Sequence, residues 1–455
     1  MTPALTAPSD CEKFPSLPEE AAPDRNQAPP REISQVVEHL FRHEAGKLVA
    51  TLAGIFGIEH LTLAEDVVQE ALARALQTWP FYGVPQNPPA WIMRTARNLA
   101  LDVVRRQRVL REKEAEIARL IEDADASPEP TTGESEIADD RLRLMFVCCH
   151  PQIPPEAQSA LALKTLCGFS IPEIARAFLT SEAAIAKRLT RAKQKISQAG
   201  IRFEIPAGPE LASRLDGVLQ SLYLLFNEGY KASAGDKLVR EEICAEAIRL
   251  ADLLVRHPAG NQPRAHALLA LMLLTAARTP ARTNEAGDLL RLQDQDRSRW
   301  DQALIARGMY HLAQSAAGAE ISAYHLQAGI AACHCRAPDY ASTDWRQILS
   351  LYDRLAAFDD SPVIALNRAV ACAEVNGPQA GIAAVEAIKN RRALEAYYLF
   401  HAVMGAFESR RNRAPAAAAH FRQALELAEI KSEQAFLAER LRECDPEREP
   451  AVEKI

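Results

Sequence analysis

The chain predicts an all-α fold, and three observations carry that expectation. Glycine is sparse, at 19 of 455 residues, and aromatics make up 6%, while Ala, Leu, Arg and Glu, all tolerated in helices, dominate. Apolar residues recur at helical spacing, as in Val68, Leu72, Ala75 and Leu76 and again in Ile185, Leu189, Ala192 and Ile196. Small and large residues at Gly405, Ala417, Phe421 and Ala424 mark a close-packed helix pair late in the chain. With 48% apolar residues, the length suffices for two or three domains with cores of their own.

Residues 1–32, rich in Pro, Ala and acidic side chains, are expected to be disordered, and they lack the basic and apolar regions of a signal peptide. A first domain is expected over 33–110. Its helix around Glu65 to Ala71 puts Asp66, Gln69 and Glu70 on one face, an acidic and hydrogen-bonding surface suited to a partner with basic helices. A loop from Thr78 to Pro89 follows, with Trp79, Phe81 and Tyr82 among four prolines. Aromatics in a stiff loop can stack on an unpaired base. The next helix, from Ala90, carries Arg94, Arg97, Arg105, Arg106 and Arg108 with Asn98 and Asp102, and Trp91, Ile92, Ala96, Leu99 and Val103 form its apolar complement. Arginines with an amide suit backbone and base contacts.

Residues 111–139 have the composition of a flexible acidic linker, including Glu122, Asp123, Asp125 and Glu129. Over 140–200 a helix-turn-helix is predicted. Ser170 and Glu173 form a capping box, and Ile174, Ala175 and Phe178 give the helix an apolar face. The turn at Phe178 to Thr180 leads to Ser181, a second N-cap, and then to the inward stripe of Ile185, Leu189, Ala192 and Ile196. The opposite side carries Ala184, Lys187, Arg188, Arg191 and Lys195, residue types that meet phosphates and base edges in a major groove. An amphipathic hairpin with a solvated basic face has the same pattern. Net charge is −7, which would argue against nucleic acid if charge were spread evenly, but basic residues concentrate at Trp91 to Lys113 and Lys187 to Lys195.

Residues 201–440 are expected to form an atypical stack of helix pairs, with 441–455 as a tail. The pair bearing Gly405 and Phe421 fits a tetratricopeptide pattern well, and an earlier one, Val363 to Val375 and Gln379 to Ile388, is broken by Asn376-Gly377-Pro378. Phe226-Asn227-Glu228-Gly229-Tyr230 is read either as a helix end seated on the preceding domains, with Gly229 as terminator, or as a small ligand site. The longest apolar run, Ala265 to Ala277, is too short for a bilayer and suits a buried helix.

Nine cysteines include Cys148-Cys149-His150 and Cys333-His334-Cys335. Neither cluster has the paired spacing of a structural zinc site, so both are read as small buried hydrophobes, with a redox switch left open. Asp359-Asp360 and Asp294-Gln295-Asp296 read as helix-start and turn residues. No Gly-rich phosphate loop, Ser/His/Asp arrangement or supported carboxylate pair appears, so neither catalytic residues nor a metal or cofactor is assigned, and the chain is not read as an enzyme.

In order, "AEDVVQEALARAL", "WIMRTARNLALDVVRRQR" and "GFSIPEIARAFLTSEAAIAKRLTRAKQKI" resemble regions 2 and 4 of a bacterial RNA polymerase sigma factor of the sigma-70 superfamily, extracytoplasmic-function group. The resemblance implies that Asp66, Gln69 and Glu70 bind core polymerase. It implies that Trp79, Phe81, Tyr82 and Asn98 hold a flipped base of the −10 element, and that Arg94, Arg97, Arg105 and Arg106 grip its backbone. It assigns the −35 element to Ser181, Glu182, Ala184, Lys187, Arg188, Arg191 and Lys195. "LYLLFNEGYKAS", "LLALMLLTAAR", "AYHLQAGIAACH", "DWRQILSLYDRL" and "SPVIALNRAVACAEVNGPQAG" are similar to the subgroup with a long tetratricopeptide-like C-terminal extension. The implied partners are core RNA polymerase and promoter DNA, in the cytoplasm and without membrane attachment. A regulatory partner or ligand of the extension stays open. A one-component helix-turn-helix regulator and a repeat scaffold remain as alternatives, the first needing no polymerase to bind its operator and the second binding no promoter.

Overall fold

The computed structural model describes residues 31–106, 139–178, 180–198, 201, 203, 209–230, 239–258, 260–284, 289–318 and 320–444. The expectations for the N-terminal extension up to residue 30, for the acidic linker up to residue 138, for Arg108 and for the tail from residue 445 fall outside these residues. Among the described residues the chain forms nineteen α-helices and one isolated antiparallel bridge, Thr283 to Leu289.

The first unit comprises α1 (Arg31–His43), α2 (Ala45–Phe56), α3 (Leu61–Tyr82) and α4 (Pro88–Arg106), with a 3-10 turn at Ile58–His60. Leu61, Ala64, Val68, Ala71, Ala75 and Trp79 recur every three or four residues along α3 and are buried, with Leu72 beside them, which fixes its inward face. The helix runs past the expected start of the loop at Thr78. Pro80 lies in its last turn, and the helix closes where the Gly83 N–H reaches the Trp79 carbonyl at 2.9 Å. The loop is therefore short, and α4 begins at Pro88 rather than Ala90, with the Asn87 side chain accepting from the Ala90 N–H.

The second unit is α5 (Asp140–Cys148), α6 (Pro155–Cys167), α7 (Ile171–Ala177) and α8 (Glu182–Gln198). Asp139 caps α5 through the N–H groups of Arg141 and Leu142, and α6 opens on Pro155 and ends at Gly168. The expected capping box is present: Ser170 accepts from the Glu173 N–H, and the Glu173 carboxylate accepts from the Ser170 N–H at 2.7 Å. Ser181 accepts from Ala184 N–H at the start of α8.

The remaining helices build the C-terminal part: α9 (Pro209–Tyr230), α10 (Glu241–Arg256), α11 (Pro263–Ala276), α12 (Gln302–Ser315), α13 (Ala323–Arg336), α14 (Trp345–Leu355), α15 (Pro362–Asn376), α16 (Pro378–Glu386), α17 (Tyr398–Arg410), α18 (Ala414–Leu427) and α19 (Lys431–Cys444). Every residue of α11 from Ala265 to Leu274 is buried, and no helix among the described residues is long and apolar enough to cross a membrane. The pair α17/α18 is built as its sequence predicts, with Gly405 against the Phe421 ring and Ala417, Phe421 and Ala424 buried. The pair α15/α16 breaks at Gly377, whose φ of 87° ends the first helix.

Gly229 does not end its helix. It sits inside the last turn of α9, and a Cβ there would lie 2.8 Å from the Cys244 backbone nitrogen, so its role is to admit α10 at close range. One continuous hydrophobic core runs from Val37 to Ala332 through both units and the first helices of the C-terminal part, and three smaller cores follow. Within it α2 packs on α5 and α6, and α9 packs on the same two helices.

Candidate nucleic-acid and protein interfaces

α3 presents two chemically opposed faces. Val67, Val68, Ala71, Leu72 and Ala75 are buried, while Asp66, Gln69 and Glu70 are all exposed. Glu70 pairs with Arg74 one turn on, at 3.1 Å, an exposed contact worth little to stability. The acidic face is open to a partner.

At the α3/α4 turn the predicted aromatics separate into two kinds. Phe81 is 56% exposed and Tyr82 71% exposed, both beside the short loop, where a base can reach them. Trp79 is 2% exposed and stands edge-on to Trp91 at 5.5 Å. Its ring belongs to the α3/α4 core, and the expectation that it stacks on a base is corrected: the helix continues three residues past it and turns the indole inward. On α4, Arg94 and Asn98 are exposed and Arg97 is half-buried. Arg105 and Arg106 lie in the last turn of α4, and their side chains are outside the described set.

In the helix-turn-helix, Ser181, Glu182, Lys187, Arg191 and Lys195 are exposed, and Ala184 and Arg188 are half-buried. Arg188 pairs with Glu156 of α6 at 3.0 Å, and Lys195 donates to the Gln152 carbonyl at 2.9 Å. Lys187 and Arg191, one turn apart, form the open centre of this surface.

The C-terminal part grips the helix-turn-helix unit. Arg240, at the start of α10, lies 3.1 Å from Glu173 of the capping box and 3.6 Å from buried Glu228 in the Phe226 to Tyr230 motif. Burial pushes the Glu173 carboxyl up, but the Ser170 N–H and hydroxyl together with Arg240 outweigh it, leaving the carboxyl below its ordinary range. Arg141 pairs with Glu246 at 2.6 Å, and Arg249 with Asp139 at 2.8 Å. The motif thus seats the extension through Arg240, which the sequence reading did not single out. A cavity of about 580 Å³ lies where α2, α5, α6 and α10 meet, with Glu44 and Lys47 on one side and Glu242 and Glu246 on the other.

Cys148 and Cys149 are buried and Cys167 is half-buried among these helices. α5 ends at Cys148, and burial pushes the thiols of Cys149 and Cys167 up to about 12, the behaviour of inert core thiols rather than reactive thiolates. Cys335 donates to the Leu274 carbonyl at 3.4 Å.

The sequence reading also missed Glu65, the neighbour of Asp66. Glu65 is buried, accepts from Thr165 of α6 at 2.7 Å and pairs with Lys193 of α8. A carboxylate continuing the apolar stripe between Leu61 and Val68 was the available signal.

Residues 40–109 match the model of Sigma-70 region 2, residues 143–196 match Sigma-70 region 4, and residues 214–316 match a family of unknown function (DUF6596). An uncharacterised protein of Rhizobium meliloti (strain 1021) is 41% identical over 388 residues, 83% of this chain and 89% of that protein. ECF RNA polymerase sigma factor EcfG of Rhodopseudomonas palustris (strain TIE-1) is 30% identical over 135 residues, 30% of this chain and 69% of its own length. ECF RNA polymerase sigma factor SigE of Mycolicibacterium smegmatis is 28% identical over 160 residues, 35% of this chain and 59% of its own length. No solved structure matches significantly.

Proposed function

Because this chain belongs to the extracytoplasmic-function group of the sigma-70 family and continues into a helical C-terminal extension, we propose that it binds core RNA polymerase through Asp66, Gln69 and Glu70 and directs initiation from two promoter elements. Region 2 (α1 to α4) melts and reads the −10 element through Phe81, Tyr82, Arg94, Arg97, Asn98, Arg105 and Arg106. Region 4 (α5 to α8) reads the −35 element through Ser181, Glu182, Ala184, Lys187, Arg188 and Arg191, with Lys195 at the edge. The factor works in the cytoplasm without chemistry of its own. The observation that supports this reading most is the exposure of Asp66, Gln69 and Glu70 together on one face of a helix whose other face is core.

The extension, docked on region 4 through α9 and Arg240, sets the fraction of molecules competent to engage a promoter. An operator-binding regulator would need none of the α3 acidic face. Transcription with purified core polymerase on a fragment library separates the two. The wild-type chain is expected to give defined starts, and Asp66→Ala with Gln69→Ala and Glu70→Ala is expected to lower their yield at least about a hundredfold, as loss of ~3 kcal/mol of interface energy implies. Sequence-specific DNA binding that is indifferent to core enzyme would replace this reading with the regulator.

A further inference from the structure

Two arginines of the C-terminal part meet at one indole with no carboxylate between them. Arg278 follows α11, Arg297 opens the 3-10 turn Arg297–Arg299, and Trp300 ends that turn. The Asp301 N–H donates to the Ala277 carbonyl at 2.9 Å, which ties the two segments together. The Arg278 guanidinium lies 5.4 Å from the Trp300 ring centroid and that of Arg297 4.9 Å. Arg297 donates to the carbonyls of His334 and Ala337 and to the Thr343 hydroxyl, which anchors the end of α13. These acceptors are neutral. Among the described residues no acceptor holds the Arg278 guanidinium, and Arg278 Nε, Arg297 Nε, the Trp300 indole nitrogen and His334 Nδ1 are buried without a hydrogen-bond partner. Arg297, Trp300 and His334 are 9%, 2% and 8% exposed. The acid in electrical reach of Arg297, Asp339, is itself exposed and accepts from the Ser342 N–H at 2.7 Å.

A buried donor left without an acceptor is costly, and more so when it is charged. The surplus positive charge is felt locally: burial, then Arg278 and Arg297, lower His334 to about 3, so its ring is neutral. Anchoring α13 accounts for Arg297. It leaves Arg278 and the Trp300 N–H unexplained, since an apolar side chain would pack on the indole without bringing a second charge. An arginine fork matches phosphate and carboxylate alike, but two unmatched charges suit a dianion, and a phosphate monoester carries about −1.5 to −2 at pH 7. We propose that Arg278, Arg297 and the Trp300 N–H hold a phosphate group, free or as a monoester, within the 214–316 segment that matches the family of unknown function. Such a site is separate from the promoter-reading surfaces, and testing it needs no polymerase.

The full chain, in phosphate-free buffer at ~150 mM salt, is titrated calorimetrically with inorganic phosphate, phenyl phosphate and acetate. One saturable site is expected, at least about tenfold tighter for a phosphate than for acetate. Tighter phenyl phosphate identifies an ester as the source, and tighter inorganic phosphate the free ion; either order supports the site. Arg278→Gln removes a guanidinium that no described acceptor holds and should weaken phosphate about tenfold or more. Trp300→Phe keeps a ring, loses the N–H and should weaken it severalfold, whereas Arg422→Gln, at an exposed position of α18, should leave it unchanged. Thermal unfolding of each variant in the same buffer checks its fold, and Arg278→Gln decides alone should Trp300→Phe fail to fold. Absence of saturable phosphate binding, acetate bound as tightly as phosphate, or wild-type affinity in Arg278→Gln overturns the proposal. Equal weakening by Arg422→Gln also overturns it, because the phosphate would then be an adventitious ion drawn by general surface charge.

Discussion

Trp79 and Tyr82 stand three residues apart on one helix and are expected to fail in different ways. Trp79 is among the largest fully buried side chains, so Trp79→Ala should cost about 3–5 kcal/mol of region 2 stability. Tyr82 spends 71% of its surface in solvent, so Tyr82→Ala should leave stability within about 0.5 kcal/mol and lower promoter opening instead. Chemical denaturation of the two variants, followed by permanganate footprinting of the −10 region, checks the division. Equal destabilisation by both, or unchanged footprints with Tyr82→Ala, contradicts it. The same pair shows what a single sequence discloses. The aromatic cluster was legible by type, but which ring points inward depended on α3 persisting through Pro80, and a proline near a helix end is a weak stop signal. Asp66, Gln69 and Glu70 were legible because exposure follows from helical period alone. Glu65 was not, because its partners lie 100 and 128 positions away, and no local pattern announces them.

At the scale of helix pairs, small-to-large complementarity was readable for α17/α18, since Gly405 and Phe421 lie on consecutive helices. The α11/α12 contact was not. There His266 and His311 stack, with their Nδ1 atoms 2.9 Å apart, and Asn261 holds the far nitrogen of His266. In a neutral pair one ring donates and the other accepts. Burial, then the neighbouring His266, lowers His311 to about 4, with Asp252 of α10 opposing the shift and Arg307 and Arg256 adding to it. Tyr310 lies edge-on to the same ring. A folded value below the unfolded 6.5 means that the native state binds fewer protons. The contribution is therefore complete above about pH 6.5 and is lost as pH falls through about 4. His311→Phe keeps the stack but removes the titration, so melting temperature measured from pH 7 to 4 should fall less steeply than in wild type. Parallel slopes would show that the pair carries none of the acid sensitivity.

For the whole molecule, the question is whether the extension regulates region 4 or completes it. α9 lies over α5 and α6, where Met145, Phe146 and Cys149 are fully buried, Cys149 sits 3.9 Å from the Ser221 hydroxyl, and Arg214 is buried beside the Phe146 carbonyl. Cutting the chain after Gly200 uncovers this face, at about 1.5–3 kcal/mol for each large apolar side chain returned to water. Loss of transcription on truncation would then report an unfolded region 4, the same result a regulatory extension would give. The informative change leaves α9 in place and breaks only the bridge at Arg240. Replacing Arg240 alone would strip buried Glu228 of its guanidinium, a separate cost, so Arg240→Ala is paired with Glu228→Gln. This variant is expected to keep one cooperative unfolding transition while its yield of specific transcript with core polymerase departs from wild type by about fivefold or more. A cooperative fold with unchanged yield would show that the Arg240 bridge from the DUF6596 segment to the capping box of α7 carries no coupling to promoter engagement.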